Sequence, residues 1–575
     1  MDASIKGTVR ASDKDAQYDE KAKKLLGHKI ILAYILVNTI EEFRGMNPKE
    51  VVNHIEGEPY ISVVPVKSGM TNVKKKEGEK RAKSGKESEE DTKTTEQVIG
   101  LNTENSEINE GMIRFDIIFY VRMKEGLTQI IINIEAQKEE PGEYKIEMKS
   151  RVQKKEMRWE KLDNTANLFP VIANETMTNV YRIAVILSED IRPECLQEAL
   201  EQVLPWFNTM NVRMRTGMFW YYFETNTKGK PVVREEQDFP CRYVERHENR
   251  NYLFRVTYYK NRINLEVFHA LADGMGAVNF LRELTYQYLR ICYPQLSGEM
   301  GDRLCDDTSL DTEDSYLKNY KKAGKKTYKS VPAVHMKGER LVRGELGTIH
   351  GYMSVKQLKE KAKELGMSIN EYLSGIFVYS IYKGYLHENT SKKPIVLCVP
   401  VNLRPFFESM TTRNFFAMAS AAFLPEKEKY ERQEVMKLVQ KELKKQITQE
   451  NLERMIAYNV SNQKNYALRV VPLFLKKPAI KFVYLTSAKA TTTTITNMGR
   501  MVVDKAYEPY IKRFQIILSP SVGQNTKATV CSYGDELTFT FSSLLKDTSV
   551  QKVFFRSLVE DGIEVEIETN GVYYD

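Results

Sequence analysis

The chain has 575 residues, 42% of them hydrophobic and 10% aromatic, with a formal charge of +8 and a mean hydropathy of −0.46. It is too long for one core and has room for about three or four domain-sized units. The mild positive charge is compatible with phosphorylated ligands, but by itself makes no case for nucleic acid.

The six cysteines, at 195, 241, 292, 305, 398 and 531, form no CxxC pair. Scattered thiols in a long chain are expected to be reduced, which fits a cytoplasmic protein. The first twenty residues carry no apolar core of a secretory signal. The run IILAYILVNTI (residues 30–40) is too short to span a bilayer and reads as a buried helix, so no membrane span is expected.

Residues 18–45 carry helical spacing that Gly45 ends, and Asn47-Pro48 reads as an N-cap and first turn of a second short helix through Ile55. Residues 74–98 open on KKKEGEKRAKSGKESEEDTK, which has no hydrophobic period and is expected as a disordered charged insertion. Its acidic half weakens a reading as a nucleic-acid arm.

Two strands follow, MIRFDIIFYVRM (residues 112–123) and TQIIINIEAQK (residues 128–138). A turn between Glu125 and Gly126 would place Asp116 opposite Glu135, with Gln137 on the same face. Facing carboxylates repel unless a cation lies between them, and their oxygens suit Mg²⁺; an exposed acidic pair fits the pattern equally well. The order of two helices, a strand with Asp and a strand with Glu-x-Gln resembles the PD-(D/E)XK nuclease family of transposase-related proteins. That resemblance covers about residues 18–140. It implies a small α/β nuclease-like fragment within residues 1–150, with Asp116 and Glu135 as metal ligands, Gln137 where relatives carry lysine, and nucleic acid as partner if the fragment is active. The pattern departs after the second strand, where no following helix is legible, so a degenerate or fused remnant is the expected form.

The remainder alternates strands and helices. TNVYRIAVIL (residues 178–187) reads as a strand, and RPECLQEALEQVLPWF (residues 192–207) as an amphipathic helix. LFRVTYY and RINLEVF are expected to pair across Lys260-Asn261. The second of these strands runs into EVFHALADGMG (residues 266–276), and a helix is expected from Ala277. His269 would stand at the strand end, where a sheltered imidazole can act as a general base. Asp273, four residues on, is a natural N-cap, and Gly274 and Gly276 leave room for a close approach. A core histidine and a cap explain the spacing as well as a catalytic pair does. Asp273 would be held by an arginine, and Arg404, after Asn402 at the end of the strand IVLCVPVN, is the candidate.

HALADG, followed some distance on by VPVNLRPFF, resembles the CoA-dependent acyltransferase superfamily of chloramphenicol acetyltransferase, the BAHD enzymes and condensation domains, most of all the alcohol acetyltransferase family. KLDNTANLFP, GMFWYYFE, SINEYLSGIF, TTRNFFAMA, TTTTITNMGR and DGIEVEIETNG extend the likeness over about residues 159–571. It implies an α/β fold of two chloramphenicol-acetyltransferase-like subdomains with mixed sheets and flanking helices, here residues 154–325 and 326–575, meeting along a tunnel. It implies acetyl-CoA as acyl donor, a hydroxyl or amine acceptor, His269 as base, Asp273 as a structural partner of Arg404, and neither an acyl-enzyme nor a metal. The turn expected at residues 496–499 would lend Asn497 and Gly499 to the channel, although the DFGWG form of BAHD enzymes is not present. The expected activity is acetyl transfer from acetyl-CoA to an alcohol. The alternatives are a Mg²⁺-dependent nuclease and a non-catalytic binder on the acyltransferase fold.

Overall fold

The computed structural model describes residues 28–39 and 43–61, the short strands between residues 104 and 150, and residues 159–573 apart from 246–248, 297–303, 306–307, 322–330 and 464–470. Its contacts divide the chain into two compact units, Met1–Lys154 and Lys155–Asp575.

In the first unit a helix, Lys29–Thr39, and a short helix, Pro48–Val51, bury Leu32, Leu36, Phe43 and Val51 together. The Asn47 side chain accepts the Lys49 N–H, so the cap forms as the Asn-Pro pair predicts; the helix gives way to a 3-10 turn at Val52 and then to a strand, Ile55–Ile61. The expected hairpin is present, but its register differs from the expected one. Met123 faces Gly126 and Ile117 faces Ile132. The first strand ends at Met123 and the second begins at Gly126, so the pairing lies two residues from the expected register. Asp116, Glu135 and Gln137 lie outside the described residues, as does the whole of the 74–98 insertion.

The second unit is α/β with mixed sheets. One sheet has five strands in the order Arg234–Glu235, Phe254–Tyr259, Arg262–Phe268, Val180–Leu187, Ile511–Leu518. Lys260 adopts φ +50° in the tight turn between the second and third of these. The last strand comes from the far end of the chain and pairs antiparallel with Val180–Leu187. A seven-stranded sheet runs Phe416–Phe423, Ile395–Asn402, Thr493–Arg500, Thr526–Tyr533, Glu536–Ser543, Gly347–Ser354, Glu566–Thr569. Its second, third and fourth strands are parallel and the rest antiparallel.

Each sheet buries one apolar cluster. The first gathers Ile183, Leu200, Phe254, Leu265 and Phe280, and draws in Ile511, Phe514 and Ile516 from the late strand. The second gathers Phe377, Ile395, Phe539, Phe541 and Phe554. The amphipathic helix forms as Pro193–Val203, with Leu196, Leu200 and Val203 buried as the spacing predicts.

Two local expectations need correction. The helix after His269 spans Gly274–Cys292, not from Ala277. Asp273 accepts the Gly276 N–H and caps it, so both glycines lie in its first turn and not in a preceding loop. Residues 496–499 are no turn but part of the strand Thr493–Arg500. The parallel pairing slips between Asn497 and Arg500, and Gly499 at φ +73° forms the bulge.

Candidate active site

The strand Arg262–Phe268 is fixed by charge as well as by packing. Glu266, fully buried, pairs with Arg182 and Arg255 and accepts the Cys241 N–H. The chain leaves this strand at His269, whose backbone N–H donates to the Asn179 carbonyl at 2.9 Å. Phe169 stacks on the imidazole at 4.6 Å between centroids, Tyr181 meets it edge-on at 5.1 Å, and Phe416 tilts against it at 5.8 Å.

Polar contacts reach His269 on one side. Nδ1 lies 3.1 Å from Asn414 Oδ1. Asn414 Nδ2 in turn donates to Asp163 Oδ2 at 3.0 Å, and Asp163 Oδ1 accepts the Ala166 N–H at 2.7 Å. The carboxylate thus turns the amide oxygen toward the imidazole. A neutral ring must then carry its proton on Nδ1 and keep its lone pair on Nε2. No described residue hydrogen-bonds Nε2. Burial lowers the His269 pKa below the ordinary histidine value, which favours the neutral, proton-accepting form. Burial pushes Asp163 the other way, up to about 7.

Asp273 and Arg404 meet in a two-pronged ion pair. Nη1 reaches Oδ2 at 2.8 Å and Nη2 reaches Oδ1 at 2.9 Å. The remaining guanidinium donors go to the Thr411 carbonyl (2.9 Å), the Arg413 carbonyl (2.7 Å) and Asn402 Oδ1 (3.3 Å), so all five N–H groups are used. Asp273 also accepts the Phe415 N–H at 3.0 Å. One ion pair therefore ties the end of the histidine turn to both ends of the 411–415 segment, which carries Asn414. Arg413, on the same segment, pairs with Glu160. Tyr181 adds a hydroxyl between the Ala272 and Asp273 carbonyls, at 3.0 and 2.9 Å.

Gly276 is required by close approach. A Cβ there would lie 2.0 Å from the Thr412 carbonyl oxygen, a backbone atom. Asn497 accepts the Gly499 N–H at 2.8 Å and donates to Asn370 at 3.3 Å. The side chain of Met498 lies against Gly274.

His269, Asp273, Gly274, Asn402, Arg404 and Asn497 all line one cavity of about 360 Å³. Gly276 and Gly499 are not on its wall. Apolar side chains, among them Phe169, Ile172, Val180 and Met418, form much of the surface. Lys527 also lines it, donates to the Ser519 carbonyl at 2.9 Å, and is pushed down to about 8 by burial.

Asn414, Asp163, Phe169 and Lys527 were not singled out from the sequence. The first three lie in stretches that carry the family likeness, TTRNFFAMA and KLDNTANLFP, but no spacing links an asparagine at 414 to an aspartate at 163. Among the described residues no group of three or more His, Cys, Asp or Glu gathers as a metal site.

No protein-family model matches this chain, and no curated protein does. Solved structures do resemble this chain over part of its length. TRI101 of F. sporotrichioides, complexed with coenzyme A and T-2, is similar at 12% identity over 71% of this chain and 99% of that one, with a TM-score of 0.48. TRI3 trichothecene 15-O-acetyltransferase from Fusarium sporotrichioides is similar at 11% identity over 72% and 97%, with a TM-score of 0.47. The wax ester synthase/diacylglycerol acyltransferase from Marinobacter aquaeolei VT8 is similar at 12% identity over 70% and 100%, with a TM-score of 0.44.

Proposed function

We propose that the second unit is a CoA-dependent acyltransferase that moves an acetyl group from acetyl-CoA to an alcohol-type acceptor. The observation that carries this reading is the imidazole of His269. Its Nδ1 is held by Asn414, its Nε2 has no partner among the described residues, and it lines a largely apolar cavity. A neutral imidazole so oriented is a general base.

His269 Nε2 takes the proton of the acceptor hydroxyl as its oxygen attacks the thioester carbonyl. The tetrahedral intermediate collapses with cleavage of the C–S bond, and the imidazolium returns the proton to the leaving thiolate. Asn414 holds the ring in the proton-accepting tautomer, and Asp163 holds Asn414. Asp273 and Arg404 are positioning residues: they fix the turn that carries the base and the segment that orients it. Asn402 and Asn497 shape the wall. In this reading residues 154–325 and 326–575 are the two subdomains, with the strand Ile511–Leu518 lent by the second to the sheet of the first.

The test is thiol release from acetyl-CoA by the full chain with a panel of alcohols and amines, beside His269→Ala. Acceptor-dependent release that falls by about 10²–10⁴-fold in the variant is expected. Release that His269→Ala leaves unchanged would remove the histidine from the chemistry.

A further inference from the structure

The helix Leu473–Ala488 shows the solvent an apolar face that nothing in the proposed chemistry uses. Phe474, Leu475, Pro478, Ala479, Phe482 and Val483 recur at one- and four-residue steps, so they form one stripe. Its bulky members are open: Phe474 is 70% exposed, Leu475 56%, Phe482 71% and Val483 62%. Met218, 71% exposed, stands beside the start of the helix, where the Leu473 N–H donates to its carbonyl at 2.8 Å. The opposite face is anchored. Leu473 and Ala488 are buried, and Lys476 donates to the Phe219 carbonyl while lying over the Trp220 ring.

A water-soluble monomer rarely leaves so continuous an apolar strip exposed. We propose that this face seats the protein on a bilayer surface carrying anionic lipid. Charge favours a bilayer over a second copy of the chain. Lys481 and Lys489 are exposed at the edge and the end of the stripe, with Lys477 half-buried nearby. A two-fold partner would set these lysines against their own counterparts, whereas anionic headgroups neutralise them. The helix has 16 residues, about 24 Å, too short for the roughly 30 Å hydrocarbon core, so it lies in the interface plane. No helix among the described residues is long and apolar enough to cross a membrane.

The placement bears on the active site and, in this respect, rests on the acyltransferase reading. Tyr484, on the anchored side of the same helix, lines the His269 cavity. The helix also packs on the turn Phe169–Ile172, whose Phe169 stacks on His269. A bilayer-bound protein would hold the cavity next to lipophilic acceptors.

The experiment is co-sedimentation of the full chain with phosphatidylcholine vesicles and with vesicles that also contain phosphatidylglycerol. Wild type is compared with Phe474→Ser/Phe482→Ser and with Lys481→Glu. Wild type should bind the anionic vesicles, more weakly at high salt. The phenylalanine pair should lose about tenfold or more in partitioning, and Lys481→Glu should lose the preference for anionic lipid. Melting temperature, and thiol release with a water-soluble acceptor, should not change in either variant. No vesicle binding by wild type, or binding that survives loss of both phenylalanines, would overturn the proposal. So would a concentration-dependent dimer that the same pair abolishes without any vesicle binding. Vesicle binding is read without turnover, so a null result for thiol release would strike the acyltransferase reading and leave this one standing.

Discussion

Arg404→Ala removes the group that ties three segments together. The variant takes five hydrogen bonds from Asp273, Asn402, Thr411 and Arg413, and leaves the buried Asp273 carboxylate with only the Gly276 and Phe415 N–H groups. Breaking one partner out of a buried ion pair costs about 3–5 kcal/mol. A unit of about 420 residues unfolds with an entropy of about 0.9 kcal/mol/K, so the melting temperature should drop by roughly 3–6 °C. Activity should fall further than stability alone explains. The 411–415 segment carries Asn414, and a displacement of about 1 Å in catalytic geometry costs on the order of 10²-fold. Differential scanning calorimetry and acceptor-dependent thiol release, measured on Arg404→Ala, Asp273→Asn and the double variant, form a double-mutant cycle. The two changes should couple by about 2 kcal/mol or more, because each removes the same contact. Additive effects, or a melting shift under about 1 °C with activity lost, would show that Arg404 acts on substrate and not on the loop.

Three other outcomes follow from the site. Asp163 titrates near 7 in the folded protein, against an ordinary value near 3.8, so between those limits the folded state holds a proton that the unfolded state has released. That stability is present below the ordinary value and is lost as pH rises through about 7, a swing on the order of 4 kcal/mol. Melting curves taken across this range should flatten in Asp163→Asn; an unchanged slope would refute the assignment. Lys527 contributes to the low pKa of His269 after burial has done the larger part. Lys527→Met should therefore move the acid limb of the kcat/KM profile to higher pH, and a limb that stays or moves down would contradict this. Gly276→Ala would force the Thr412 backbone aside and should cost about 1–3 kcal/mol or more, whereas Gly499→Ala meets open space and should cost only the left-handed backbone term, about 1–2 kcal/mol. Equal melting shifts for the two would refute the distinction.

Elements whose signals are local were legible from the amino acids alone. Apolar period located the helix Pro193–Val203, the Lys260-Asn261 pair located the hairpin, and the HALADG stretch marked the turn with His269 and Asp273. Arg404 was also within reach, because a buried carboxylate needs a cation and the strand IVLCVPVN ends beside one. Short-range geometry was less legible. The upstream hairpin slid by two residues because the turn chemistry of Lys-Glu-Gly admits more than one centre, and residues 496–499 became a bulged strand because parallel partners override a turn-like Asn-Met-Gly. The remaining geometry depends on contacts between segments far apart in the chain. Asn414 and Asp163 stand 251 residues apart in the chain yet 3.0 Å apart in space, and no periodicity encodes such a pairing. The pKa displacements of His269, Asp163 and Lys527 likewise come from desolvation, which exists only once the sheets have closed around the cavity. So does the exposed face of Leu473–Ala488: its apolar spacing is written in the sequence, but which side meets protein and which meets solvent is set by the packing of its neighbours.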